Sequence, residues 1–162
     1  IFRDSLKSDS LRMGMTRRLQ NAGADLSRID FGWDLPQAHL DVYSRFDILL
    51  DVFPWGSGTL AYDAMWMGVP IPTIAGDRGG CRATASMMYN SGFPELIADT
   101  ITDYVALVTN LASDHDRLDS LRQEIRPAMS NTVCDGARFA QDIERTLKQF
   151  WKTYVESHTT LP

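Results

Sequence analysis

Cysteine is scarce in this chain: its 162 residues hold only Cys81 and Cys134, with no CxxC spacing and no histidine pairing. That argues against a thiol-based zinc site and makes a reducing, cytoplasmic setting the default. A bridge between the two cysteines stays open. Basic residues are outnumbered, 16 Lys and Arg against 21 Asp and Glu, for a net charge of −5. A nucleic-acid partner, which would need a basic face, is therefore not expected. No stretch nears the ~20 apolar residues of a membrane span, and no charged-then-apolar leader opens the chain. Nothing repeats at the periods of solenoid proteins. The length fits a single domain over residues 1–162, large enough to bury ~70% of its unfolded surface. The opening, IFRDSLKS, reads as the end of a strand at Ile1 to Arg3, so a fragment of a longer protein is expected.

What is present centres on DILLDVFPWGSGTLAYDAMWMGVPIPTIAGDR, from Asp47 to Arg78. Ile48, Leu49 and Leu50 form a short apolar run, as in a strand buried on both faces. Pro54 ends it, and Gly56 and Gly58 allow close backbone approach to a ligand. Thr59 stands where an N-cap hydroxyl belongs. Leu60, Ala64 and Met67 recur at helical spacing until Gly68 and Pro70 stop the helix. Val69 to Ala75 resumes an apolar run that Pro70 and Pro72 weaken as a strand. A glycine-rich turn from a strand into a helix presents free N–H groups and the positive end of the helix dipole, which suits a phosphate. Such turns also occur with no ligand at all.

Elsewhere the pattern predicts a helix over Asp9–Ala22, with Leu11, Met15, Leu19 and Ala22 on one face and Gly23 as its stop. A strand is expected over Arg28–Trp33 and a short helix over Pro36–Phe46. Cys81–Asn90 reads as a helix and Glu95–Ala98 as a short strand. Thr102 is expected to cap a helix carrying Val105, Val108 and Leu111. Leu118, Leu121, Ile125 and Met129 mark the next helix, interrupted near Pro127. Phe139, Ile143, Leu147 and Trp151 mark a long last one. Alternating strands and helices give an α/β fold: a Rossmann-like parallel sheet with helices on both faces and a helical C-terminal tail. Ligands of such sheets lie at the carboxyl ends of the strands. The loops at Phe53–Gly58 and Gly76–Gly80 and the region around Pro36 should open there.

LDVFPWGSGTLAYDAMWMGVPIPTIAGDR resembles the C-terminal catalytic region of the O-GlcNAc transferase/SPINDLY family, glycosyltransferase family 41, of the GT-B fold. SGFPELIADTITDYVALVTNLASDHDRLDSLR and CDGARFAQDIERTLKQFWKTY are similar to the stretches that follow in that family, so the resemblance spans nearly the whole chain. It implies the C-terminal, donor-binding half of a GT-B enzyme. That enzyme would be an inverting transferase moving a sugar, GlcNAc from UDP-GlcNAc, to protein serine or threonine without a cofactor. The partners implied are a UDP-sugar, a protein acceptor and an N-terminal half, with preceding TPR repeats. Another donor, GDP-fucose or UDP-glucose, and a non-catalytic nucleotide-binding module are the alternatives.

The resemblance also implies roles. His39, by itself a surface histidine on an amphipathic turn, would stack on uracil. Gly56, Gly58, Thr59 and Leu60 would hold the diphosphate. Asp63, otherwise a first-turn acid favouring the helix dipole, would bind ribose hydroxyls. Arg78 and Arg82 would reach a phosphate or sugar, or serve as salt-bridged structural residues. Ser86 matches too, as would any small residue facing the sheet. No catalytic residue is assigned. The departures from the family are a threonine cluster reduced to Thr59, Pro36 near a usual lysine, and Asp41 or Val42 for a basic residue after the histidine. The family's phosphate-binding lysine would lie upstream of Ile1. Trp55, Trp66, Tyr104, Phe139, Trp151 and Tyr154 read as core or helix-packing residues. Asp47 and Asp51 bracket the strand without further acids to form a metal site.

Overall fold

A computed structural model of the chain describes residues 4–32 and 39–158. The strand end expected at residues 1–3, the strand end at Trp33 and the helix start at Pro36 lie outside the described residues. The chain divides into two compact units, Ile1–Arg45 and Phe46–Pro162.

In the first unit, 3-10 turns at Asp4–Lys7, Leu26–Arg28 and His39–Arg45 accompany α1 (Asp9–Asn21). Asp9 in the first turn and Arg18 in the last complement the helix dipole of α1. Arg12 pairs with Asp9 and donates to the Leu6 carbonyl at 2.5 Å, tying the helix to the turn before it. α1 buries none of its residues, and Leu11 of the expected apolar face is exposed. The strand expected from Arg28 does not start there. Asp25 caps a 3-10 turn instead, accepting from the Ser27 N–H at 3.0 Å and the Ser27 hydroxyl at 2.7 Å. A short acid binding its own neighbouring backbone outcompetes an extended start.

In the second unit, α2 (Thr59–Trp66) leads to β1 (Thr73–Ile74), and α3 (Ala83–Asn90) crosses to β2 (Ile97–Ala98). The strands pair in parallel, Thr73 with Ile97 and Ile74 with Ala98. Among the described residues the ladder holds these two strands, fewer than expected. The physical reason lies in Pro70 and Pro72, which have no N–H to donate. Beside them a lone bond from the Leu49 N–H to the Pro70 carbonyl, 3.0 Å, keeps residues 47–51 alongside. Leu50 is 55% exposed, so that run is not buried on both faces.

α4 (Ile101–Ser113), α5 (His115–Ser130) and α6 (Gly136–His158) follow. Thr100, two residues before the expected cap, starts α4. Its hydroxyl accepts from the Asp103 N–H at 3.1 Å and donates to the Asp103 carboxylate at 2.6 Å, a reciprocal cap. α5 runs through Pro127 to Ser130 rather than breaking. So near the end of the helix, a proline disturbs only its last turn. Leu121, Ile125 and Met129 of α5 are buried with Met65, Val69, Ile71, Met88 and Leu96 to form the core, and α5 packs on α2. Two arginines of α5 add further contacts, one to the segment at residues 46–47 and one to α2. Arg122 donates to the Phe46 carbonyl at 2.6 Å and pairs with Asp47 at 3.6 Å. Arg126 lies 4.6 Å over the Trp66 ring, a cation–π contact. α6 buries nothing: Phe139, Trp151 and Tyr154 are exposed, as is Trp55, against the expectation that they pack. Both cysteines are free. No helix of the described residues is long and apolar enough to cross a membrane.

Gly68 makes the close approach of α5 possible. Its φ is +77°, and a Cβ there would meet the Arg122 carbonyl oxygen at 2.5 Å. Gly68→Ala should therefore cost at least about 1–3 kcal/mol. Gly14 lies inside α1, and a Cβ there would meet nothing within 4 Å. Gly14→Ala should therefore gain ~0.5–1 kcal/mol. Urea denaturation of both variants checks this, and equal midpoints for Gly68→Ala and wild type would contradict the packing.

Candidate functional site

The candidate site is the loop from Asp51 into α2. Asp51 sits at its base, and its carboxylate gathers three donors. Oδ1 accepts the backbone N–H of Val52 at 2.9 Å and of Ser57 at 2.7 Å, and Oδ2 accepts the Thr73 hydroxyl at 2.6 Å. One side chain thus joins both ends of the loop to β1. The Gly56 N–H donates to the Val52 carbonyl at 2.5 Å, closing the turn, and the Phe53–Pro54 peptide is cis.

Gly56 and Gly58 have φ of +79° and +55°, a region that L side chains rarely enter. A Cβ on Gly58 would meet nothing within 4 Å, so glycine serves backbone shape there and the site is open on that side. Gly58, not Thr59, is the N-cap of α2, and no side chain caps this end. Thr59 is instead the first helical residue. The Leu60 and Ala61 N–H groups bond back to Ser57 and Gly58 at 3.2 and 3.1 Å. Among the described residues, the backbone N–H groups of Gly58 and Thr59 make no hydrogen bond. Leu60 is exposed and brings no polar side chain; Asp63 follows one turn along α2, half-buried.

Beneath the loop lies a polar floor. Thr84 is 2% exposed, yet its hydroxyl has no hydrogen-bond partner and lies 3.4 Å from where a Gly56 Cβ would stand. The Tyr104 hydroxyl is likewise buried without a partner of good geometry. Burial pushes its phenol up and the Asp51 carboxylate adds to that, against the opposing Asp51 backbone N–H. Tyr104 is therefore a neutral phenol at physiological pH. Asp51, Gly56, Ile74, Cys81 and Tyr104 together line a small enclosed space under the loop.

The second loop, after β1, adjoins this floor through Cys81. Gly76 lies so close to Cys81 that a Cβ would collide with the Cys81 Cβ. Arg82 donates to the Gly76 carbonyl at 2.8 Å, bracing its own loop. Arg78 caps the 3-10 turn Gly79–Arg82 and is exposed. Ser86 does not face the sheet: it is exposed and bonded to Asn90, and Ala85 and Thr84 take the inner face. The structure thus brings Gly56, Gly58, Thr59, Leu60 and Asp63 together on one loop and helix, with Arg78 and Arg82 on the next loop. His39, exposed, heads the 3-10 turn of the other unit. Among the described residues no group of three or more His, Cys, Asp or Glu could hold a metal ion.

Asp51 and Thr84 are what sequence reasoning missed. Asp51 did carry a signal, an acid directly before a glycine-rich turn, where a carboxylate can collect turn N–H groups. Thr84 carried none. Because its hydroxyl is unpaired and buried, Thr84→Val should leave stability unchanged or raise it by about 1 kcal/mol. A loss greater than that in thermal or urea unfolding would mean that the hydroxyl is paired within the fold.

The family model described as Glycosyl transferase family 41 matches residues 15–143. A SPINDLY protein of Hordeum vulgare, named a probable UDP-N-acetylglucosamine–peptide N-acetylglucosaminyltransferase, is 34% identical over 154 residues, 91% of this chain. The UDP-N-acetylglucosamine–peptide N-acetylglucosaminyltransferase of Caenorhabditis elegans is 32% identical over 134 residues, 82% of this chain. The chain spans only 16% and 12% of these two relatives. A solved structure of a mutant O-GlcNAc transferase from Thermobaculum terrenum superposes with a TM-score of 0.85 and 25% identity, over 96% of this chain and 30% of that one. The likeness supports the α/β reading and its GT-B assignment even though the parallel ladder is short. By model match and by identity alike, the chain belongs to glycosyltransferase family 41.

Proposed function

We propose that residues 1–162 form the donor-binding part of an inverting glycosyltransferase that moves GlcNAc from UDP-GlcNAc to serine or threonine of a protein acceptor. The observation that carries this reading is the loop Gly56–Thr59, open on one side, with two unengaged N–H groups at the start of α2. That arrangement accepts a diphosphate. The names of the relatives supply the donor and the kind of acceptor.

In this reading the Gly58 and Thr59 N–H groups and the dipole of α2 meet the diphosphate. Negative charge grows there as the bond from the sugar to UDP breaks, and fixed donors stabilise it without rearranging. Asp63 accepts the ribose hydroxyls. His39 stacks on uracil. Arg78, exposed at the neighbouring loop, adds positive charge, whereas Arg82 contributes by holding that loop's shape. The acceptor site and the group that takes the hydroxyl proton are assigned to parts of the protein outside this chain. The protein is taken to work in the cytoplasm.

Titration of UDP, GDP and ADP into the full-length protein tests the donor class. UDP should bind most tightly, and His39→Ala should weaken it by ~1–3 kcal/mol, the usual value of one aromatic–base stack. Equal affinity for all three nucleotides would overturn the uracil assignment.

The loop is tested separately. Gly58→Val places a β-branched side chain at φ +55°, which should distort the loop and weaken UDP about tenfold or more. Unchanged UDP binding in a folded Gly58→Val protein would move the diphosphate elsewhere.

A further inference from the structure

We infer that Asp51 is a positioning residue that gives the diphosphate loop its shape, and that it does so through the geometry of its carboxylate rather than through its charge. The inference rests on the reading of Gly56–Thr59 as a phosphate site.

Consider what the two oxygens do. Oδ1 is shared by the N–H groups of Val52 and Ser57, five residues apart, at 2.9 and 2.7 Å. It therefore fixes the chord of the turn. Oδ2 takes the hydroxyl of Thr73, which is 1% exposed on β1. It fixes the turn to β1. Ser57 directly precedes Gly58, so the bond to the Ser57 N–H determines where the next two N–H groups point. Those are the unengaged pair at Gly58 and Thr59. Beneath them the unpaired Thr84 hydroxyl, buried against Gly56, indicates a polar surface built toward the loop.

Charge argues the other way. A carboxylate near a bound diphosphate repels it, so a site selected for electrostatics alone would not keep one here. All three partners of Asp51 are donors, and an asparagine can serve them almost as well. Its Oδ1 can accept the two N–H groups, and its Nδ2 can donate to the Thr73 oxygen, which accepts as readily as it donates. Geometry and charge can thus be separated by one substitution.

The experiment compares wild type, Asp51→Ala and Asp51→Asn in the full-length protein. Hydrogen exchange of the Val52 and Ser57 amides is read without ligand, and UDP and uridine are then titrated. Asp51→Ala should speed exchange of the Ser57 amide at least about tenfold and weaken UDP by a similar factor. Uridine, which lacks phosphates, should bind unchanged. Asp51→Asn should restore both slow exchange and UDP binding. Loss of UDP and uridine together, normal exchange in Asp51→Ala, or failure of Asp51→Asn to rescue would each overturn the inference. If wild type binds no UDP while its exchange pattern follows Asp51 as stated, the phosphate reading falls but the role of Asp51 in shaping the loop stands.

Discussion

A carboxylate with three donors and, among the described residues, no cation beside it is the constraint on which this site depends. Asp51 spans the mouth of the loop, binds it to β1, and lies against the Tyr104 phenol. Its two oxygens reach three donors from one short stem, in directions that the side chain fixes. One short side chain can therefore hold a loop that has no regular structure. The strand before it is hardly a strand, since one N–H to the Pro70 carbonyl is its bond to the neighbouring segment. Backbone ladders do not position this loop; the side chain does.

The start of α2 is defined by what it lacks. Most helix starts bind their first N–H groups with a Ser, Thr, Asp or Asn side chain. α4, α5 and α6 do so with Thr100, Asp114 and Asp135. α2 starts from Gly58 with no such cap. An uncapped start costs stability, of order ~1 kcal/mol relative to a good cap. A bound anion can return it. α1 and α3 also start without a side-chain cap; what sets α2 apart is that its uncapped start follows a turn with two positive-φ glycines above the buried Thr84 hydroxyl.

Much of the chain was legible in sequence. Helical periodicity marked α1, α5 and α6, and the core positions Leu121, Ile125 and Met129 followed from spacing alone. The glycines of the loop stood where positive φ is needed. Errors arose where a local polar contact decides. Asp25 binding Ser27 overrides an extended run, and Thr100 with Asp103 moves a cap by two residues. Prolines shortened the ladder, which composition hinted at but could not quantify. Burial was misjudged for Trp55, Phe139, Trp151 and Tyr154, since aromatic content signals an apolar face and not the partner that covers it. Thr84 was invisible for a related reason. A threonine in a helix reads as neutral, and only the close approach of Gly56 gives its hydroxyl meaning.

α6 shows the limit most plainly. Phe139, Ile143, Leu147, Trp151 and Tyr154 form an apolar stripe along 23 residues, and every residue of the helix is outside the core. The stripe is strong enough to specify the helix, because period and composition agree. A helix in a folded protein draws most of its stability from packing that face. Sequence and local structure therefore agree on α6 while leaving its apolar face outside the core. The loop at Asp51 is the opposite case: its periodic signal is weak, yet the three hydrogen bonds to the Asp51 carboxylate determine its conformation. Where the chain's chemistry is concerned, hydrogen-bond satisfaction at single residues carries more information than hydrophobic pattern.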